Sequence, residues 1–106
     1  FSDQQSDAEN FWNGAATANR KVVPQAPTGW DPRPRALNEP PWVHEGPNHY
    51  VPPTTAELQH MVTSAVDFTC AHLSDVTEAA TVLMYAWNEN SEGGMLIPTL
   101  GNGTQR

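Results

Sequence analysis

The 106 residues, 38% hydrophobic and 16% charged, are enough for one small domain and not for two. Twelve Asp and Glu against five Lys and Arg leave a formal charge of -7, a surface that repels phosphate backbones and argues against a nucleic-acid partner. No apolar run reaches the 18 or so residues of a membrane helix, which argues against a membrane partner. The single cysteine, Cys70, rules out an internal disulfide and a multi-cysteine metal site; among Phe68, Ala71 and Leu73 it reads as a small buried hydrophobe.

Residues 6–20 predict a first helix. Ser6 or Asp7 can cap it, Glu9 sits in its first turn, and Arg20 and Lys21 complement its dipole at the end. Phe11, Ala15 and Ala18 give it a modest apolar face, interrupted by Gly14. The β-favouring "VVPQAP" follows and leads into "TGWDPRPR". From Pro24 to Pro53 lie nine of the ten prolines, a density that forbids regular helix and central strand. Linkers of that composition are poor in aromatics. Trp30, Trp42, His44, His49 and Tyr50 therefore mark residues 24–53 as a loop that folds over a site.

Residues 54–73 predict the second helix, opened by a capping box of Thr54 and Glu57 and striped by Leu58, Met61, Val62, Ala65, Val66 and Leu73. The run from Thr81 to Trp87 is apolar at successive positions, the pattern of a parallel strand buried on both faces. The order helix, strand, long loop, helix, strand makes an α/β unit whose two strands are parallel. Two such strands do not complete a sheet. The start at Phe1 without a Met and the ending "GNGTQR" point the same way, so the chain is expected to be part of a larger α/β domain.

In open α/β sheets and (β/α)8 barrels, sites gather at the carboxyl ends of the strands. Here the first strand runs into Trp30 and Asp31, and the second into Asn88, Glu89, Asn90, Ser91 and Glu92. Two nearby carboxylates can divide labour, one as acid and the other as base or nucleophile, which glycoside cleavage requires. An E-x-x-E pair in a polar loop is commonly solvated surface. The apolar strand before it and Gly93-Gly94 after it favour a site. Trp87 either closes the strand as core or stacks on a sugar; Asn88 either meets a sugar hydroxyl or caps the loop. Arg33 and Arg35 brace the Pro-rich loop or hold a substrate anion. His60 and His72 read as surface, and the spacing of His44 and His49 offers no third metal ligand.

"YAWNENSEGGMLIPTL" resembles the final-strand motif of the glycoside hydrolase clan around families 99 and 71 and the related bacterial WbsX-like proteins, in which a strand ends in W-N-E-x-x-E-G before an I/L-x-P element. "TGWDPRPR" resembles the G-W-D-x-x-P-R segment one strand earlier in the WbsX-like group. Together the two segments span about Val22 to Leu100. The resemblance implies a partial (β/α)8 TIM barrel, with residues 1–106 as its C-terminal portion: helix 6, strand 7, helix 7 and strand 8. It implies an O-glycosyl hydrolase acting on a poly- or oligosaccharide, secreted or periplasmic and without a cofactor. Glu89 would serve as base toward the sugar 2-hydroxyl and Glu92 as acid/base to the glycosidic oxygen. Trp30, Asp31, His44, Tyr50, Trp87 and Asn88 would bind substrate. The chain departs from family 99 at Asn90-Ser91, where that family has Trp-His, and from family 71 at Glu89, where that family has Asp. The residues also allow a barrel that binds or assembles glycans without hydrolysis, and a small independent α/β interaction module.

Overall fold

A computed structural model describes residues 1–36, 39, 41, 46 and 48–96. The first helix, α1, spans Ser2–Thr17. It starts a turn earlier than its capping residues predict, because Phe1 is buried in the core and anchors the first turn, with Gln5 N–H donating to the Phe1 carbonyl at 3.0 Å. It ends in a Schellman arrangement, the Arg20 N–H reaching the Ala15 carbonyl and the Asn19 N–H the Ala16 carbonyl, both at 2.9 Å. Asn19 takes the left-handed turn at φ 53°. Arg20 and Lys21 therefore lie beyond the helix instead of in its last turn. The buried face is rotated from the one predicted: Gln4 and Trp12 are buried and Ala8, Ala15 and Ala16 flank them, while Phe11 is 60% exposed. The larger indole takes the inward position and meets the Phe68 ring at 5.6 Å.

Strand β1, Gln25–Pro27, pairs in parallel with β2, Leu83–Tyr85, in the register Gln25↔Leu83, Ala26↔Met84, Pro27↔Tyr85. The two strands are joined through the Pro-rich segment, a short helix α2 at Arg33–Ala36, and the long helix α3 at Thr55–Ala71. Proline density therefore does not exclude regular structure from residues 24–53: β1 ends on Pro27, and Pro34 sits in the first turn of α2, where a proline costs no helical hydrogen bond. The capping box forms as the sequence predicts: the Glu57 N–H donates to Thr54 Oγ1 and the Thr54 N–H to the Glu57 carboxylate. The Thr54 N–H first, and then the Thr54 hydroxyl, which donates to the same carboxylate at 2.8 Å, hold the Glu57 carboxyl below its ordinary range.

Helix α3 buries Leu58, Met61, Ala65, Phe68 and Thr69. Val66 and Leu73 are exposed, because the 3-4-3 spacing that starts at Leu58 continues through Phe68 and not through them. Cys70 falls on the outward side and is exposed, not buried as its neighbours suggested. His72 is not a free surface residue either; its ring stacks on Phe68 at 4.3 Å, and its N–H closes the helix on the Phe68 carbonyl.

The core is the cluster Phe1, Trp12, Val22, Ala26, Met61, Ala65, Phe68 and Val76, which joins both long helices to the sheet through Ala26. Alternation sends Gln25, Leu83 and Tyr85 to the other face. There Leu83 is 47% and Tyr85 46% exposed, so β2 is not buried on both sides as its composition predicted. Both side chains there line open pockets, the one at Tyr85 shared with Gln4, Ala8, Phe11 and Trp12 of α1. Strand β2 is also shorter than predicted, since Ala86 turns out of it at φ 62°. The segment beyond is a hairpin, β3 at Asn88–Glu89 against β4 at Gly94–Met95, joined by a 3-10 turn at Asn90–Glu92. The molecule is a small α/β protein with helices and a short parallel sheet.

Candidate functional site

A parallel pair in register places the two carboxyl ends side by side. Beyond β1, the buried Thr28 donates through both its N–H and its hydroxyl to the Tyr85 carbonyl, at 3.3 and 3.2 Å. Past that point the two strand-end segments are bound to each other. The Asp31 N–H donates to the Glu92 carbonyl at 2.5 Å, while within the second segment the Leu96 N–H closes the hairpin on the Trp87 carbonyl at 2.9 Å. The glycines make this approach possible. A Cβ on Gly29 would stand 2.8 Å from the Gly93 carbonyl oxygen, and one on Gly93, itself at φ 69°, would stand 2.8 Å from the Asp31 Cβ. A Cβ on Gly94 would overlap the Ala86 carbonyl. The two polar segments that the sequence places after separate strands are thus one structure.

Three acids sit on it in different settings. Asp31 accepts two bonds from the Arg33 guanidinium, at 2.7 and 2.6 Å, and one from the Arg33 N–H at 3.1 Å. The side-chain bonds to Arg33 are the main reason its carboxyl is held below the usual range. Glu92 accepts from Arg35 Nη1 at 2.6 Å, with the two side chains 14% and 22% exposed. The same guanidinium lies 5.9 Å from the Trp30 ring centroid. Glu89 is exposed on β3. Both arginines therefore brace the Pro-rich segment through carboxylates, which was one of the two roles their sequence setting allowed.

Glu89, Glu92, Trp87 and Asn88 line one open pocket of about 290 Å³, together with Leu83 and Tyr85. Trp87 is 53% exposed and belongs to this pocket, not to the core. Asn88 is exposed on β3, opposite Met95, and its side chain caps nothing among the described residues. Trp30 and Tyr50 lie elsewhere, in a neighbouring pocket of about 330 Å³. Tyr85 is in the wall of both. The predicted set is thus divided between two adjoining pockets, with Asp31 tied into the loop junction. His44 lies outside the described residues.

Two participants had no signal in the sequence. Tyr85 read as core because its apolar neighbours did. Asp7, one of two candidate caps for α1, instead accepts from the Tyr50 hydroxyl at 2.7 Å, which raises the Tyr50 pKa above its ordinary value. That bond ties the end of the Pro-rich segment to α1, 43 residues away in sequence. Among the described residues no group of three His, Cys, Asp or Glu is placed to hold a metal ion, and no helix is long and apolar enough to cross a membrane.

Comparison with protein-family models, with curated proteins and with solved structures returned no match to this chain.

Proposed function

We propose that this chain is the C-terminal portion of a (β/α)8 barrel resembling the glycoside hydrolases of families 99 and 71 and the WbsX-like proteins. Its strand-end site cleaves O-glycosidic bonds in a poly- or oligosaccharide. One observation carries the reading. The two motifs, "TGWDPRPR" and "WNENSEGG", end adjacent parallel strands and are joined there through Asp31, Glu92 and Gly93. That is the carboxyl-end location where α/β domains keep their sites.

Trp87 and Tyr85 offer exposed rings on which a sugar can stack beside the acids. In this reading the exposed Glu89 takes the proton of the 2-hydroxyl as that oxygen attacks C1 to form a 1,2-anhydro ring, while a protonated Glu92 gives its proton to the glycosidic oxygen that leaves. Glu92 then takes a proton from the water that opens the ring at C1, and Glu89 returns its proton to the 2-oxygen. To reach the oxygen, Glu92 exchanges its contact with Arg35 for one with substrate.

The experiment is a glycan panel assayed with the full-length protein and its Glu92→Gln variant, with products followed by mass spectrometry. Loss of turnover by about three orders of magnitude or more, with glycan binding retained, is the expected result. Wild-type kcat in the variant removes Glu92 from the mechanism.

The Arg35–Glu92 ion pair also supports a second reading, since it occupies the carboxylate that catalysis needs. In that reading the barrel binds or assembles glycans without hydrolysing them, and the wild type then binds members of the panel and turns over none.

A further inference from the structure

Glu92 is held by a guanidinium before it meets any substrate. Arg35 Nη1 lies 2.6 Å from Glu92 Oε1, and the two side chains are 22% and 14% exposed. The Trp30 ring backs the same guanidinium, with its centroid 5.9 Å from Arg35 Cζ. Of these two neighbours the ring stays during reaction and the carboxylate must leave. An acid that protonates a glycosidic oxygen carries a proton, and a carboxyl group that carries one no longer neutralises Arg35. Withdrawing the negative partner of a partly buried pair is costly, because the cation keeps its loss of solvent and loses the charge that offset it.

A neutral sugar entering the pocket supplies no charge in exchange. A sugar with its own carboxylate or sulfate does. It offers Arg35 oxygens of the kind that Glu92 withdraws, and the fork of a guanidinium can grip them in pairs. Arg33 is not equivalent. It makes two bonds to Asp31 from its guanidinium and a third from its N–H, and Asp31 has no step in which it lets go. Of the three acids at the strand ends, Asp31 is thus neutralised by Arg33 and Glu92 by Arg35, and Glu89 carries the remaining charge. When Glu92 takes a proton and an anionic sugar takes Arg35, that charge pattern is restored. Because Glu92 works from a point 2.6 Å from Arg35, the anionic group belongs to one of the two sugars joined by the bond that breaks.

We propose that Arg35 is a specificity-determining residue of this site, and that its substrate is an acidic glycan with a uronic acid or a sulfated hexose at the scissile bond. This rests on the reading above, in which Glu92 is the acid, and it narrows the poly- or oligosaccharide of that reading to an anionic class. On a chain of formal charge -7, long-range attraction does not favour an anion, so a preference for one reports a local cation.

The test is a set of calorimetric titrations of the full-length protein, each acidic oligosaccharide against its neutral parent. Gluco-, manno- and galacto-oligosaccharides of two to six units are compared with their uronate and 6-sulfated forms, and the Trp30 indole N–H signal is followed in 15N-labelled protein. The expected result is that at least one acidic series binds about tenfold to a hundredfold more tightly than its parent and moves Trp30. The uronate and sulfate series then distinguish the two anions. Arg35→Gln abolishes the difference between acidic and neutral ligands, whereas structural damage alone would weaken both alike. Arg35→Lys, which keeps the charge and loses the fork, retains part of the preference. The proposal is overturned if no acidic series outbinds its neutral parent, or if Arg35→Gln keeps the preference. Hydrolysis of neutral glycans alone overturns it and leaves the hydrolase standing. An Arg35-dependent preference in a protein that hydrolyses nothing supports the anion site and counts against the hydrolase.

Discussion

The two halves of this molecule are held together by different physics. Around Trp12, Met61, Ala65 and Phe68 the contact is between apolar side chains, and both long helices share it with the sheet. At the strand ends the contact is between backbones, at distances only Gly29, Gly93 and Gly94 permit, reinforced by the ion pairs of Asp31 and Glu92. The first half tolerates small adjustments because rings and methyls repack. The second does not, because a main-chain carbonyl has nowhere to go. A site that must hold acids in place gains from the second kind of construction.

The comparison implies unequal responses to substitution. Trp12→Ala, in the core, is expected to lower global stability most, by about 3–5 kcal/mol, read as a shift in the urea midpoint. Arg35→Gln removes one partner of a pair intermediate in exposure, so its cost falls between the ~1 kcal/mol of a surface pair and the ~3 kcal/mol of a buried one. Its effect should be concentrated at the strand ends. Faster hydrogen exchange at the Asp31 and Leu96 amides, with α3 amides unchanged, is the expected signature, and a uniform increase would mean that the two halves are not distinct. Thr54→Ala removes the hydroxyl that caps α3 and should cost about 1 kcal/mol, read as a shift in the urea midpoint.

The smallest effect is on pH dependence. The folded pKa of Asp31 is depressed by Arg33, so its contribution is complete above the ordinary carboxylate range near 3.8 and fades as pH falls below it through the lower folded value. Arg33→Gln should flatten stability between pH 7 and 3 relative to the parent; an unchanged profile would show that the pair contributes nothing.

Much of the framework was legible along the chain. The capping box at Thr54 and Glu57, the approximate extent of α3 and the parallel relation of the two strands rest on local rules: hydroxyl and carboxylate at fixed spacing, apolar period, and a crossover long enough to return a strand in the same direction. The bracing of the Pro-rich segment by Arg33 and Arg35 was among the readings those residues allowed. The misreadings have a common cause. Phe11, Trp12, Cys70, Leu83, Tyr85 and Trp87 are all apolar, and composition alone does not say which of them face the core.

The sequence by itself determined where the two long helices and the last strand are permitted, and that acids and glycines follow that strand. Those are consequences of backbone sterics and of periodicity, which act between near neighbours. The proline-rich segment nevertheless holds β1 at Gln25–Pro27 and the short α2 at Arg33–Ala36. The tertiary structure alone decided that Trp12 and not Phe11 turns inward, that Glu92 meets Arg35 and Tyr50 meets Asp7, and that the polar ends of two distant strands close into one structure. Each of those joins residues far apart in the chain. Such contacts are selected by the shape left when both long helices have packed against each other and against the sheet.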